Sequence, residues 1–161
     1  MRKSPQHTQY EILRSRGIIV RHVRTSAFPT PYACRSPFKK ADGSYEWETE
    51  LEFGWSMIDR KSVGSLAAFI KEPILSTGGI LDPPPGYLKP MVDECKKHDM
   101  LVSMDEAQMG IGLVGQMFAF ERDGIVPGIL CLSKTLECGL PLAFVSTTAE
   151  VEKGCREAKF L

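Results

Sequence analysis

An α/β fold with a largely parallel sheet is the architecture the sequence predicts, and three observations carry it. Short apolar runs recur at residues 66–70, 100–104 and 128–132. Helix-period segments or long crossings lie between them, as parallel strands require. A polar residue closes each run: Glu72, Asp105 and Lys134. In open sheets of this kind ligands gather beyond the carboxyl ends of the strands, so these three are the first candidates for chemistry.

The elements follow in order. Residues 1–24 hold Arg2, Lys3, Arg14, Arg16, Arg21 and Arg24 against one acid, Glu11. Such a start fits an organelle-targeting segment, mitochondrial for example, or a disordered, solvated one; Pro5 and Gly17 interrupt any amphipathic stripe. It is left unassigned, outside a domain expected over 25–161. Residues 25–43 carry Pro29, Pro31, Pro37 and Gly43 and should be extended or looped. Over 45–61, Trp47, Leu51, Trp55 and Ile58 share a helical face, and Glu46, Glu48, Glu50 and Glu52 sit near its positive end.

Residues 66–70 read as a buried strand, stopped by Glu72 and Pro73. The stretch 76–86, with Gly78, Gly79, Gly86 and three consecutive prolines, must be loop. Residues 87–98 read as a helix. Residues 100–104 and 128–132 read as the second and third buried strands, and 142–146 as a fourth. A last helix over 148–159 opens on Thr148 as its cap.

The totals narrow the function. Lys plus Arg and Asp plus Glu are 20 each, so the formal net charge is zero. Nothing in that balance calls for nucleic acid or an acidic membrane surface. No apolar run is long enough to cross a bilayer. The 5 cysteines form no Cys-x-x-Cys, and His7, His22 and His98 lie far apart, so neither a disulfide framework nor a metal site is expected. Reduced thiols in the cytoplasm are the simpler reading.

Lys134 follows an apolar strand. There an amine can be partly desolvated, which lowers its pKa and lets it form a Schiff base with an aldehyde; an exposed loop lysine is the plainer alternative. Asp105 could hold a cationic ring nitrogen, a ribose or a metal, or could cap the following turn. Gly110-Ile111-Gly112-Leu113-Val114-Gly115 matches the dinucleotide fingerprint in letters only. That motif needs a strand directly before it and a helix directly after, and the sequence offers neither.

Three segments then fall in a specific order: Glu72-Pro73-Ile74-Leu75-Ser76-Thr77-Gly78-Gly79, Met104-Asp105-Glu106-Ala107-Gln108, and Leu132-Ser133-Lys134-Thr135-Leu136. Together with Gly139-Leu140-Pro141-Leu142 they resemble the class III aminotransferases of fold type I, most of all the dialkylglycine decarboxylase branch. The resemblance runs from about Thr25 to the end. It implies a partial large domain of that fold, pyridoxal 5'-phosphate as cofactor, amino-acid and keto-acid substrates, and a homodimer for the full-length protein.

Residue by residue, the resemblance makes Lys134 the cofactor lysine and proton shuttle. Asp105 becomes the partner of the pyridinium nitrogen, and Gln108 the contact to the phenolic oxygen. Glu72 and Thr77 fall near the substrate. The chain departs from the family at Met109, Leu113, Gly128, Glu137 and Cys138. Members are much longer, and the phosphate-holding glycine segment, the ring-stacking aromatic and the substrate-gripping arginine find no match. A catalytically inactive, truncated paralogue, folding partly or associating with a full-length relative, is the alternative expectation.

Overall fold

The computed structural model describes residues 31–33, 35–62, 66–136 and 139–159. The basic segment 1–24, and the departures at Glu137 and Cys138, lie outside the described residues. The elements are α1 (Trp47–Lys61), β1 (Ala68–Lys71), α2 (Leu88–Lys97), β2 (Leu101–Asp105), a first 3₁₀ helix (Ala119–Asp123), β3 (Ile129–Leu132), a second 3₁₀ helix (Lys134–Leu136), β4 (Phe144–Thr147) and α3 (Ala149–Glu157). The strands lie side by side in the order β1-β2-β3-β4. The first two pairings are parallel and the last is antiparallel. A mostly parallel α/β sheet is therefore what the chain forms.

The helices form where apolar spacing demands. On α1, Leu51 and Trp55 are buried, and Trp47 and Ile58 pack against the same cluster. Glu48 and Glu50 occupy its first turn, Arg60 and Lys61 its last, each matching the helix dipole. On α2, Leu88, Met91, Val92 and Cys95 recur at three- and four-residue spacing and are all buried. Trp55 stacks on His98, just past α2, at 5.1 Å between ring centroids.

Strand alternation divides the sheet into two faces. One carries Phe69, Val102, Met104, Leu130 and Leu132, which are buried or packed against the core of α1 and α2. The opposite face carries Ile70, Leu101 and Val145, exposed by 72%, 39% and 65%. The expectation of a buried strand over 66–70 is thus corrected. The strand is Ala68–Lys71, and only alternate residues turn inward. An apolar run shows what a strand can bury on both faces, not what covers it. The strand expected over 142–146 is β4, and Phe144 and Val145 in it are exposed.

Candidate active site

Because β1, β2 and β3 are parallel, their carboxyl ends share one edge. Glu72 follows β1, Asp105 ends β2, and Lys134 follows β3 by two residues.

Glu72 is half-buried. Its Oε2 accepts hydrogen bonds from the Ser76 amide at 3.0 Å and the Ser76 hydroxyl at 2.8 Å. The loop after it is a small closed turn: the amides and carbonyls of Leu75 and Leu81 exchange hydrogen bonds at 3.0 and 2.9 Å. A Cβ at Gly78 would stand 2.4 Å from the Leu75 Cδ2, so the Leu75 side chain occupies the room that any larger residue needs. Three hydrogen bonds tie the rest of this loop to the first 3₁₀ helix. Arg122 grips Asp82 at 2.8 and 3.1 Å, and Asp123 accepts from the Gly86 amide at 3.1 Å.

Asp105 is half-buried, and its Oδ1 accepts from the Ala107 amide at 3.1 Å, so it does cap the turn that follows. Gln108 lies in that turn and donates its side-chain Nε2 to the Ser76 hydroxyl. A chain of hydrogen bonds thus joins Glu72, Ser76 and Gln108 across the ends of β1 and β2. Thr77, expected near the substrate, is exposed; its neighbour Ser76 makes the connection instead.

Between Asp105 and Gln108, Glu106 is a fully buried hub. Its amide donates to the Cys131 carbonyl at 2.9 Å, its carbonyl accepts from Gly110 at 3.0 Å, and its Oε1 accepts from the Phe120 amide at 2.9 Å. Its Oε2 is buried without a hydrogen-bond partner. Burial pushes this carboxyl above the ordinary range, and the amides of Ala119 and Phe120 pull it partly back. A Cβ at Gly110 would approach the Glu106 carbonyl and Leu132 Cδ2 to 3.0 Å each, so glycine lets the turn close on the hub. Gly112 and Gly115 adopt φ of 85° and 87° in turns, and only a short 3₁₀ helix follows. The fingerprint lettering is turn chemistry.

Lys134 opens the second 3₁₀ helix at φ 43°, in the left-handed region that non-glycine residues rarely enter. Its side chain is exposed, the plainer of the two alternatives that the sequence left open; β3 ends before it, and the residue sits outside the layer the strand buries. A half-buried amine at this edge belongs to Lys71, the last residue of β1. Its Nζ lies 5.7 Å from the Tyr87 ring centroid, and burial lowers its pKa, opposed only by Glu72. Sequence reasoning passed over Ser76 and Lys71. Ser76 carried a signal, standing four residues after Glu72 across a tight turn; Lys71 carried none beyond its place just after an apolar run.

Among the described residues, no group of three or more His, Cys, Asp or Glu could hold a metal ion. No helix there is long and apolar enough to cross a membrane. Cys95, Cys131 and Cys155 are free thiols.

A mostly parallel four-stranded sheet with flanking helices matches the fold type I transaminases. A family model for aminotransferase class-III matches residues 19–158, and the chain belongs to that family. An uncharacterized aminotransferase of Schizosaccharomyces pombe is 50% identical over 133 residues, covering 83% of this chain and 30% of that protein. A thermostable omega transaminase mutant from Pseudomonas jessenii superposes with TM-score 0.71 at 32% identity, covering 80% of this chain and 29% of its own. The ornithine aminotransferase of Toxoplasma gondii, with pyridoxal phosphate partly occupying its active site, superposes with TM-score 0.56 at 36% identity over 58% of this chain and 22% of its own. This chain spans less than a third of the length of each.

Proposed function

We propose that this chain forms the cofactor-binding edge of a pyridoxal-phosphate-dependent transaminase acting on amino-acid and keto-acid substrates. The observation that carries the reading is the shared edge. Three parallel strands deliver Glu72, Asp105 and Lys134 to one side of the sheet, and Gln108 is bonded into the same side through Ser76.

The donor set fits the cofactor's polar groups. The Lys134 amine suits the aldehyde, the Asp105 carboxylate suits a protonated ring nitrogen, and a Gln108 N–H suits the phenolic oxygen. The bound cofactor would supply a conjugated cationic ring that takes up the electron pair left when a bond to the substrate's α-carbon breaks. Asp105 would keep the ring nitrogen protonated, with Oδ1 steadied by the Ala107 amide. The Lys134 amine, standing at the end of β3, would take and return the proton at the substrate carbon. Glu72 and Thr77 would border the substrate. Loss of carbon dioxide in place of a proton, as in 2,2-dialkylglycine decarboxylase, is the finer form of this reading; its support is the Glu72-to-Gly79 and Gly139-to-Leu142 lettering. The whole protein would act as a homodimer.

Incubation with pyridoxal phosphate, borohydride reduction and peptide mass spectrometry tests the assignment. Modification concentrated on Lys134, and lost in Lys134→Ala without moving to other lysines, is expected. Equal labelling across the lysines would overturn it. It would also favour the second reading, an inactive paralogue that associates with a full-length relative; the exposure of Lys134, Ile70 and Val145 is what supports that reading.

A further inference from the structure

We propose that Ser76 is a positioning residue that fixes which end of the Gln108 amide serves as donor, with Glu72 holding the serine in place. The inference rests on the reading that Gln108 faces the cofactor, but the hydrogen-bond geometry behind it stands without any ligand.

Proton counting carries the case. A serine hydroxyl has one proton and two lone pairs, and an ionised carboxylate only accepts. Glu72 Oε2 takes the Ser76 hydroxyl at 2.8 Å and the Ser76 amide at 3.0 Å. The single hydroxyl proton is therefore committed to Glu72. What Ser76 still offers to its other neighbour, Gln108, is a lone pair. Only the Nε2 end of the amide can use it, and that is the end that meets Ser76.

An amide side chain is nearly the same shape with its oxygen and nitrogen exchanged, so its orientation is set by its partners. Here the orientation is set from 32 residues away, across the ends of two strands. The carboxylate at the head of the chain strengthens each bond by charge assistance. Of Gln108's polar groups, one N–H is thereby used, and the second N–H on the same nitrogen is held beside it. A flipped amide would set a carbonyl oxygen against Ser76, where no proton is left to bind it. Thr77 carries the same functional group one residue on but is exposed, so the loop selects Ser76 for the task.

The sequence supplies a clean test. It contains 4 glutamines, at 6, 9, 108 and 116, and no asparagine, so a ¹⁵N-labelled chain shows only four side-chain amide pairs. Without cofactor, the Gln108 pair should exchange with solvent more slowly than the others. Ser76→Ala should speed Gln108 exchange by roughly two- to tenfold, the loss of one net hydrogen bond. Ser76→Thr, which keeps the hydroxyl, should restore the slow exchange, and Glu72→Ala, which frees the hydroxyl proton, should speed it as Ser76→Ala does. Gln108 exchange unchanged in Ser76→Ala, or raised equally in Ser76→Ala and Ser76→Thr, would overturn the proposal. Should Ser76→Ala fail to fold, as its backbone spectrum would reveal, Glu72→Ala still decides: unchanged Gln108 exchange there refutes it. Because no cofactor is present, failure here is distinguishable from failure of the Lys134 assignment.

Discussion

Helices α2 and α3 are nearly equal in length, at 10 and 9 residues, yet one is core and the other is surface. On α2, Leu88, Met91, Val92 and Cys95 are buried to 1% exposure or less. α3 buries no residue at all; it holds its first turn by the Thr148 side chain, which accepts from the Val151 amide at 3.3 Å. Both are amphipathic by spacing. The difference teaches that a stripe becomes stabilising only where a facing surface exists, and here that surface is the β1–β2–β3 face shared with α1.

The sharpest way to break this contrast is Met91→Ala. A fully buried methionine cut to alanine leaves a cavity under β2 and should cost about 2–5 kcal/mol of global stability, read from denaturant unfolding. A loss below about 1 kcal/mol would mean that α2 is not the core element its burial indicates.

Next comes Glu106, the buried residue bonded to Cys131 and Phe120. Glu106→Ala strands the Phe120 amide and should cost about 1–3 kcal/mol. Glu106→Gln tests charge separately. The folded chain holds this carboxyl above its ordinary value, so the unfolded chain releases the proton first as pH rises. The associated stability is complete below the ordinary carboxylate value and is lost as pH climbs through the raised folded value. A permanently neutral glutamine should flatten that segment of the stability–pH curve. An identical slope in parent and variant would refute the raised carboxyl.

Thr148→Ala should act locally, weakening α3 by about 0.5–2 kcal/mol in hydrogen exchange while amides of α2 keep their protection. Loss of protection in both helices together would merge what the comparison separates. The smallest effect belongs to Asp82→Asn. Although Arg122 grips Asp82 with two bonds, Asp82 is half-exposed, and such pairs contribute about 0–1 kcal/mol. Its readout is the mobility of loop 76–86, with little change in global stability.

What the sequence made legible follows the same division. The stripe of Trp47, Leu51, Trp55 and Ile58 placed α1, because helical period and burial coincide there. Glu72, Asp105 and Lys134 were placed at strand ends because a polar residue after an apolar run has few other places to go. The direction of β4 was not legible, since an apolar run reads alike in both directions. Nor was the exposure of Ile70 legible, since it depends on a neighbour rather than on the run. At the edge, Gln108 and Glu72 were identified one by one, but their connection through Ser76 depends on how the Leu75–Leu81 turn closes. Thr77 comes from the family resemblance alone; that Ser76, beside it, is the hydroxyl bonded to Glu72 and Gln108 is set by the fold.

Lys71 gives the labelling of this edge an internal yardstick. Aldehydes choose among amines by two properties, an available lone pair and an open approach. Partial burial beside Tyr87 lowers the Lys71 pKa, which favours the first, and narrows the second, while Lys134 has the open approach. The ratio of adduct at the two lysines, compared between pyridoxal phosphate and a small unrecognised aldehyde, therefore separates intrinsic nucleophilicity from molecular recognition within a single chain. A preference for Lys134 that appears only with pyridoxal phosphate would be a selection made by the surrounding edge rather than by the amine.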